Sequence, residues 1–150
     1  MLALTGTCRL WETFMQISVR PAEPGDASRL AAFIQPYVDD GKLLPRTAEE
    51  LDTLTANGFI AECDGRIVGF SALEIYSPKL AEVRSLAVSS EMRGRGLGRQ
   101  LVEACLARAR ERNVLEVLAV SSAEEFFLSC GFDFTLPDEK KAFFHQTREV

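Results

Sequence analysis

The sequence predicts a single α/β (α+β) domain, and three observations carry that prediction. At 150 residues with 47% hydrophobic content, the chain suits one sizeable core and not two. The pair Asp64-Gly65 stands between Phe59-Ile60-Ala61-Glu62-Cys63 and Arg66-Ile67-Val68-Gly69-Phe70, the pattern of a tight β-hairpin. The stretch Ala87 to Leu106 joins a strand containing Val83, Leu86 and Val88 to a helix, through a basic, glycine-rich turn. In that helix Leu97, Leu101, Val102, Cys105 and Leu106 recur at helical spacing.

The elements follow in order. Residues 1–16 read as a short N-terminal extension to a domain over 17–150, and Met15 leaves the start of the chain open. Ile17-Ser18-Val19-Arg20 is a first strand. Pro24-Gly25-Asp26 supplies a turn and an N-cap, and Leu30, Phe33, Ile34 and Tyr37 mark one face of a first helix that Pro36 should end or kink. Asp39 to Lys42 is a loop. Thr47-Ala48-Glu49-Glu50 is a capping box opening a second helix, with Leu51 and Leu54 inward. After the hairpin, a long strand runs from Leu80 to Val88, and a third helix covers Gly96 to Arg112. Val114 to Val120 is expected as a buried strand and Ala123 to Ser129 as a short helix. Phe132 to Thr135 begins a last strand pair, with Phe143 and Phe144 in its core.

Composition narrows the function classes. A net charge of −5 argues against a general nucleic-acid binder. The start, MLALTGTCRLWETFMQ, lacks a basic region followed by an apolar run, and no later segment approaches a membrane span, so a cytoplasmic protein without a membrane partner is expected. Cys8, Cys63, Cys105 and Cys130 are far apart and form no C-x-x-C pair. Neither a metal site nor a disulfide framework is indicated. His145 has no ligand spacing around it.

Against that acidic background, Arg93-Gly94-Arg95-Gly96-Leu97-Gly98, followed by Arg99, is a local exception. At a helix N-terminus, unpaired backbone N–H groups and a partial charge of about +0.5 favour an anion, and glycines let a phosphate approach the backbone. The spacing G-x-G-x-G is not the dinucleotide fingerprint, and no Gly-Lys-Ser/Thr closes a P-loop. The bland alternative is a surface turn with solvated arginines.

Arg93-x-x-Gly96-x-Gly98 after Leu86-Ala87-Val88 resembles the acetyl-coenzyme A signature of the GNAT superfamily of N-acetyltransferases, and Glu125 to Phe132 resembles its second marker, an aromatic residue four positions before Gly-Phe. The resemblance runs from about Ile17 to Phe144. It implies a mixed, mostly antiparallel sheet splayed between strands 4 and 5 and flanked by about four helices. It also implies acetyl-coenzyme A as cosubstrate, held by Leu86, Ala87, Val88, Arg93, Gly94, Arg95, Gly96, Leu97, Gly98, Arg99 and Phe127. The Leu86 N–H is the implied oxyanion donor, freed by a bulge. The superfamily's tyrosine acid is replaced here by Phe127.

Acyl transfer to an amine needs a base, since an α-amine of pKa near 8 is largely protonated at neutral pH. Glu82, in the strand leading to the turn, is the candidate. The alternative is an edge carboxylate paired with Arg84. Ser85, three residues on, is the nearest candidate acid, and its alternative is an ordinary strand serine.

Gly41 to Leu51 and Leu80 to Val88 further resemble the acetyltransferase domain of N-acetylglutamate synthases, where an arginine before the second helix binds a substrate carboxylate. That resemblance assigns Arg46 to the carboxylate, Glu82 and Ser85 to base and acid, and makes a phenylalanine at 127 usual. It implies a glutamate-like acceptor, attacked directly, and a place in arginine biosynthesis. Lys42, Leu44 and Arg84 complete the expected acceptor site, with Lys140 and Lys141 as further cations or, alternatively, a solvated tail. The amino-acid kinase domain of many such synthases is not in this sequence, and its arginine control is not carried over. The rivals are an enzyme acetylating a protein N-terminus or another small amine, and a non-catalytic acetyl-coenzyme A-binding module. A homodimer is left open.

Overall fold

The structure, a computed structural model, describes residues 16–134 and 143–149. Five strands form one sheet in sequence order: β1 (Ile17–Pro21), β2 (Gly58–Cys63), β3 (Arg66–Ser77), β4 (Leu80–Val88) and β5 (Glu116–Leu118). The first four are antiparallel, and β5 runs parallel to β4. Alternating side chains send Ile60, Phe70 and Ala72 to one face, where helices α1 (Ala27–Asp39) and α2 (Ala48–Thr55) bury Leu30, Ile34, Leu51 and Leu54 against them. Phe59, Ala61, Leu73, Ala81 and Val83 take the other face, against Leu97, Leu101, Val102 and Cys105 of helix α3 (Leu97–Glu111). A short helix, α4 (Glu124–Ser129), follows β5.

Local chemistry sets the joints. The Thr47 capping box is present: its hydroxyl accepts from the Glu50 N–H at 3.1 Å, and the Glu50 carboxylate accepts from the Thr47 N–H at 2.8 Å. Asp64-Gly65 turns the β2–β3 hairpin with both residues at positive φ. Arg108 of α3 donates to Asn57 Oδ1 at 2.9 Å and lies over the Phe59 ring, fastening α3 to the α2–β2 turn.

Several expectations are corrected. Pro36 does not end α1, which runs on to Asp39. A proline this close to a helix C-terminus removes only one backbone bond, and buried Ile34 holds the turn in place. Asp26 stands at the start of α1 without capping it. Its buried carboxylate instead accepts from Arg20 at 2.8 and 3.0 Å and from the Glu23 N–H at 2.8 Å, and the Arg20 guanidinium holds it down at about 2. β3 continues seven residues beyond Phe70. β5 is three residues long and half-exposed, not a buried strand from Val114 to Val120, because it pairs with β4 only at Leu80, Ala81 and Glu82. Phe132 to Phe134 form no strand, and Thr135 lies outside the described residues. Phe143 and Phe144 are 90% and 82% exposed, so they are not core residues: no described strand offers them a partner.

Two features of β4 position the site. Beyond Glu82 it has no described neighbour on the β5 side, so the sheet opens there, as the expected splay requires. Its register with β3 also slips: Phe70 faces Ala87 and Ala72 faces Arg84, so Ser71 alone opposes Ser85 and Leu86, and Ser85 takes φ 57°. This is a β-bulge, which leaves a residue unpaired and turns the strand. It also changes which side chains share a face. Glu82 and Arg84 lie on the α1–α2 face with Glu74 and Ala72, whereas beyond the bulge Leu86 and Val88 join the α3 cluster.

Candidate active site

The glycine-rich turn follows β4 through a single 3-10 turn, Ser90–Met92, anchored by buried Met92. Gly94 and Gly96 sit at φ 76° and 77°, the left-handed region that side chains disfavour, and Gly96 is the N-cap of α3. A Cβ on Gly98 would meet Phe126 ring carbons at 3.3 and 3.4 Å, so this glycine lets α3 and α4 close on each other. The Arg93 and Arg95 side chains are exposed and make no hydrogen bond or ion pair among the described residues. Arg99 differs from expectation: its Nη2 donates to the Ser129 carbonyl at 2.7 Å and its Nη1 lies 3.8 Å from Glu103, so it ties α4 to α3. Leu97 is buried in the core and can offer only its backbone to the turn.

A cleft of about 310 Å³ opens beside the second half of β4. Leu86, Ala87, Val88, Arg93 and Gly98 line it, as expected of residues along one extended ligand. Its remaining walls come from Tyr37, Lys42 and Leu43 on the α1 side and from Ala123 and Phe126 on the α4 side. Phe127 is not among its walls. Its ring packs edge-on to Phe126 and Phe132, and of the two adjacent phenylalanines it is Phe126 that meets the cleft. A six-residue helix rotates each successive side chain by about 100°, and that rotation separates the two rings. Sequence reading missed Tyr37, Leu43, Ala123 and Phe126, which no contiguous motif joins to the turn.

On the α1–α2 face, the first half of β4 carries a polar cluster. Glu82 and Glu74 are cross-strand partners. Arg84 does not pair with Glu82: its Nη1 donates to Glu74 Oε2 at 2.5 Å. The Tyr76 hydroxyl donates to Glu82 Oε2 at 2.5 Å and lies 3.4 Å from Arg84 Nη1. Burial and the Glu82 carboxylate push the Tyr76 phenol up to about 12, so it keeps its proton. Glu74 and Tyr76 were also missed. The hairpin pattern in the sequence covers only Arg66 to Phe70, and only the cross-strand register brings Glu74 and Tyr76 to Glu82.

Arg46 lies among these charges. Its Nε is closed off from solvent and has no hydrogen-bond partner among the described residues, an arrangement that a planar anion would complete. Burial, and next the charge of Arg84, lower its pKa. Of the other expected acceptor residues, Lys42 lines the cleft instead, with Asp40 3.8 Å away, and Leu44 is 61% exposed. Ser85 is buried, and no hydrogen bond joins it to Glu82 among the described residues. The buried Cys105 thiol donates to Ser71 at 3.6 Å, and burial pushes it up to about 11, as befits a packing residue. Lys140 and Lys141 lie outside the described residues, and His145 is exposed. Among the described residues, no cluster of three or more His, Cys, Asp or Glu side chains could hold a metal, and no helix is long and apolar enough to cross a membrane.

Comparison with known proteins places this geometry. The model of the Acetyltransferase (GNAT) family matches residues 17–132. An uncharacterized N-acetyltransferase of Chlorobaculum tepidum is 37% identical over 114 residues, 76% of this chain and 74% of that protein. An amino-acid acetyltransferase of Neisseria meningitidis is 32% identical over 136 residues, covering 89% of this chain but 31% of its own length. This chain therefore spans about a third of that relative. Among solved structures, N-acetylglutamate synthase of Neisseria gonorrhoeae, complexed with coenzyme A and N-acetyl-glutamate, superposes with a TM-score of 0.73 at 31% identity, over 83% of this chain and 30% of that one. Rv2747 of Mycobacterium tuberculosis, in complex with CoA, gives 0.72 at 29% identity, over 83% and 76%.

Proposed function

We propose that this chain, which belongs to the Acetyltransferase (GNAT) family, moves an acetyl group from acetyl-coenzyme A to the α-amine of glutamate or a similar amino acid. One observation carries the reading. β4 holds both halves of the site, with Glu82 and Arg84 before its bulge and the cleft-lining Leu86, Ala87 and Val88 after it, at the open edge of the sheet.

In this reading the left-handed glycines and the α3 N-terminus take the pyrophosphate, with Arg93 and Arg95 supplying charge. The remainder of the cosubstrate follows the cleft, and it brings a thioester whose carbonyl the amine attacks. Ser85 and Leu86 are left without a one-to-one partner on β3, which suits the Leu86 N–H to stabilise negative charge on the acyl oxygen. Glu82 takes the proton of the amine. Arg46, with its unsatisfied Nε, grips a carboxylate of the acceptor and Arg84 adds a second positive charge. Ser85 remains the proposed acid for the departing thiolate, whose free pKa of about 8.5 makes the demand on that acid small. The likeness to N-acetylglutamate synthase and to amino-acid acetyltransferases supports the acceptor class.

The test is an acetyl-coenzyme A turnover assay against amino acids, their decarboxylated analogues, other small amines and N-terminal peptides. Glutamate or a close analogue is expected to give the highest kcat/KM. A preference for peptides or for amines without carboxylates would overturn the acceptor assignment.

A further inference from the structure

β3 carries a bulge of its own. Ile75 faces Ala81 and Ser77 faces Leu80, which leaves Tyr76 as an extra residue with no partner on β4. Bulges re-aim side chains, and this one accompanies a specific arrangement. The Tyr76 hydroxyl stands between two carboxylates: 2.5 Å from Glu82 Oε2, to which it donates, and 3.3 Å from Glu74 Oε2. A phenol has one proton, so only one carboxylate can receive it. Arg84 settles which. Its Nη1 donates to Glu74 and lies within reach of the Tyr76 oxygen at 3.4 Å, so Glu74 is satisfied by the guanidinium and the phenol proton turns to Glu82. The Glu82 carboxylate has no ion-pair partner among the described residues, and the Tyr76 hydroxyl is its only hydrogen-bond partner there.

We propose that Tyr76 is a positioning residue for the reaction above: its hydroxyl pins one oxygen of Glu82, fixing the carboxylate so that the other oxygen faces the amine. This inference rests on Glu82 being the base. Because the phenol stays protonated well beyond neutral pH, it remains a donor wherever the reaction runs. For the same reason it is a poor acid for a thiolate, and its contribution is orientation. A base displaced by about 1 Å can cost up to about 10²-fold in rate.

The experiment compares Tyr76→Phe, Glu82→Gln and the double variant with the wild type, using the best acceptor from the turnover panel, with acetyl-coenzyme A affinity measured by calorimetry. Tyr76→Phe should keep cosubstrate affinity and acceptor KM, while kcat falls by about 10- to 100-fold. In the Glu82→Gln background it should cost nothing further, since there is no base left to position. Wild-type kcat in Tyr76→Phe, or an equal loss in both backgrounds, would overturn the inference. Full turnover in Glu82→Gln would instead sink the base assignment, and a panel without turnover the proposed function, each taking this inference with it. If Tyr76→Phe no longer binds acetyl-coenzyme A, Tyr76→His replaces it in the same assays, since its ring N–H can still donate. Turnover retained relative to Tyr76→Ala would support the donor role, and turnover no better than Tyr76→Ala would overturn it.

Discussion

The glycine-rich turn and the Glu82 cluster lie at the two ends of β4 and are built by opposite means. The turn is six consecutive residues, Arg93 to Gly98, whose function would reside in backbone conformation: two left-handed glycines and the start of a helix. The cluster is assembled from β3, β4 and the loop before α2, and its function would reside in side chains that meet only across the sheet. A backbone site tolerates change in its neighbours but not in its own dihedral angles. A side-chain site fails when any one contributor is lost.

The largest expected effect breaks the turn. Gly96→Asp brings a side chain at φ 77° and a negative charge to the proposed phosphate site, although a Cβ there would meet nothing within 4 Å. Like charges in such contact cost several kcal/mol, so acetyl-coenzyme A affinity by calorimetry should fall about 10²- to 10³-fold. Gly96→Ala separates the two causes: left-handed strain alone costs about 1–2 kcal/mol, most of it in stability. Wild-type affinity in Gly96→Asp would remove the turn from phosphate binding.

Next comes the cluster. Glu82→Gln should leave that affinity intact and lower kcat by about 10²-fold or more, the lower end for general base catalysis. A loss of cosubstrate affinity in this variant would instead merge the two regions into one. Arg46→Ala sharpens the division within the cluster. The KM for glutamate should rise about 10- to 150-fold, the equivalent of about 1.5–3 kcal/mol for a hydrogen bond to a charged group. Arg46→Lys should recover little, because an ammonium cannot reproduce the planar fork. A decarboxylated acceptor should be as poor for the wild type and lose little more with either variant.

The smallest effect tests the packing behind the turn. Gly98→Ala sets a methyl 3.3 Å from the Phe126 ring, tight enough that the ring must give way. Overpacking of this kind costs about 1 kcal/mol at its lower end, a fall in Tm of about 2–4 °C for a chain of this size. Acetyl-coenzyme A affinity should fall with it only modestly, since Phe126 also lines the cleft. An unchanged melting temperature would show that the two helices are not held by this contact.

Sequence and structure agree best where the signal is local. The Thr47 capping box, the Asp64-Gly65 hairpin and the Leu86 to Gly98 strand–turn–helix are each written in neighbouring residues, and each appears where expected. Agreement weakens where a residue's role depends on partners distant in sequence. Arg99 reads as part of a basic turn, but α4 offers it the Ser129 carbonyl. Phe127 occupies the family's aromatic position, but the helix turns Phe126 toward the cleft. Phe143 and Phe144 read as core by composition alone, and nothing described covers them.

The sequence by itself determined the family, the hairpin, the helix starts and the place of the glycine-rich turn, because glycines and capping side chains act on their own backbone within a few residues. Only the tertiary structure decided that Arg84 belongs to Glu74 and that Tyr76 belongs to Glu82. The register of β3 against β4 slips twice, at Ser71 and at Tyr76, and each one-residue slip changes which side chains meet. No local propensity records such a slip. β4 packs between α3 on one face and α1 on the other, and those contacts join residues far apart in sequence.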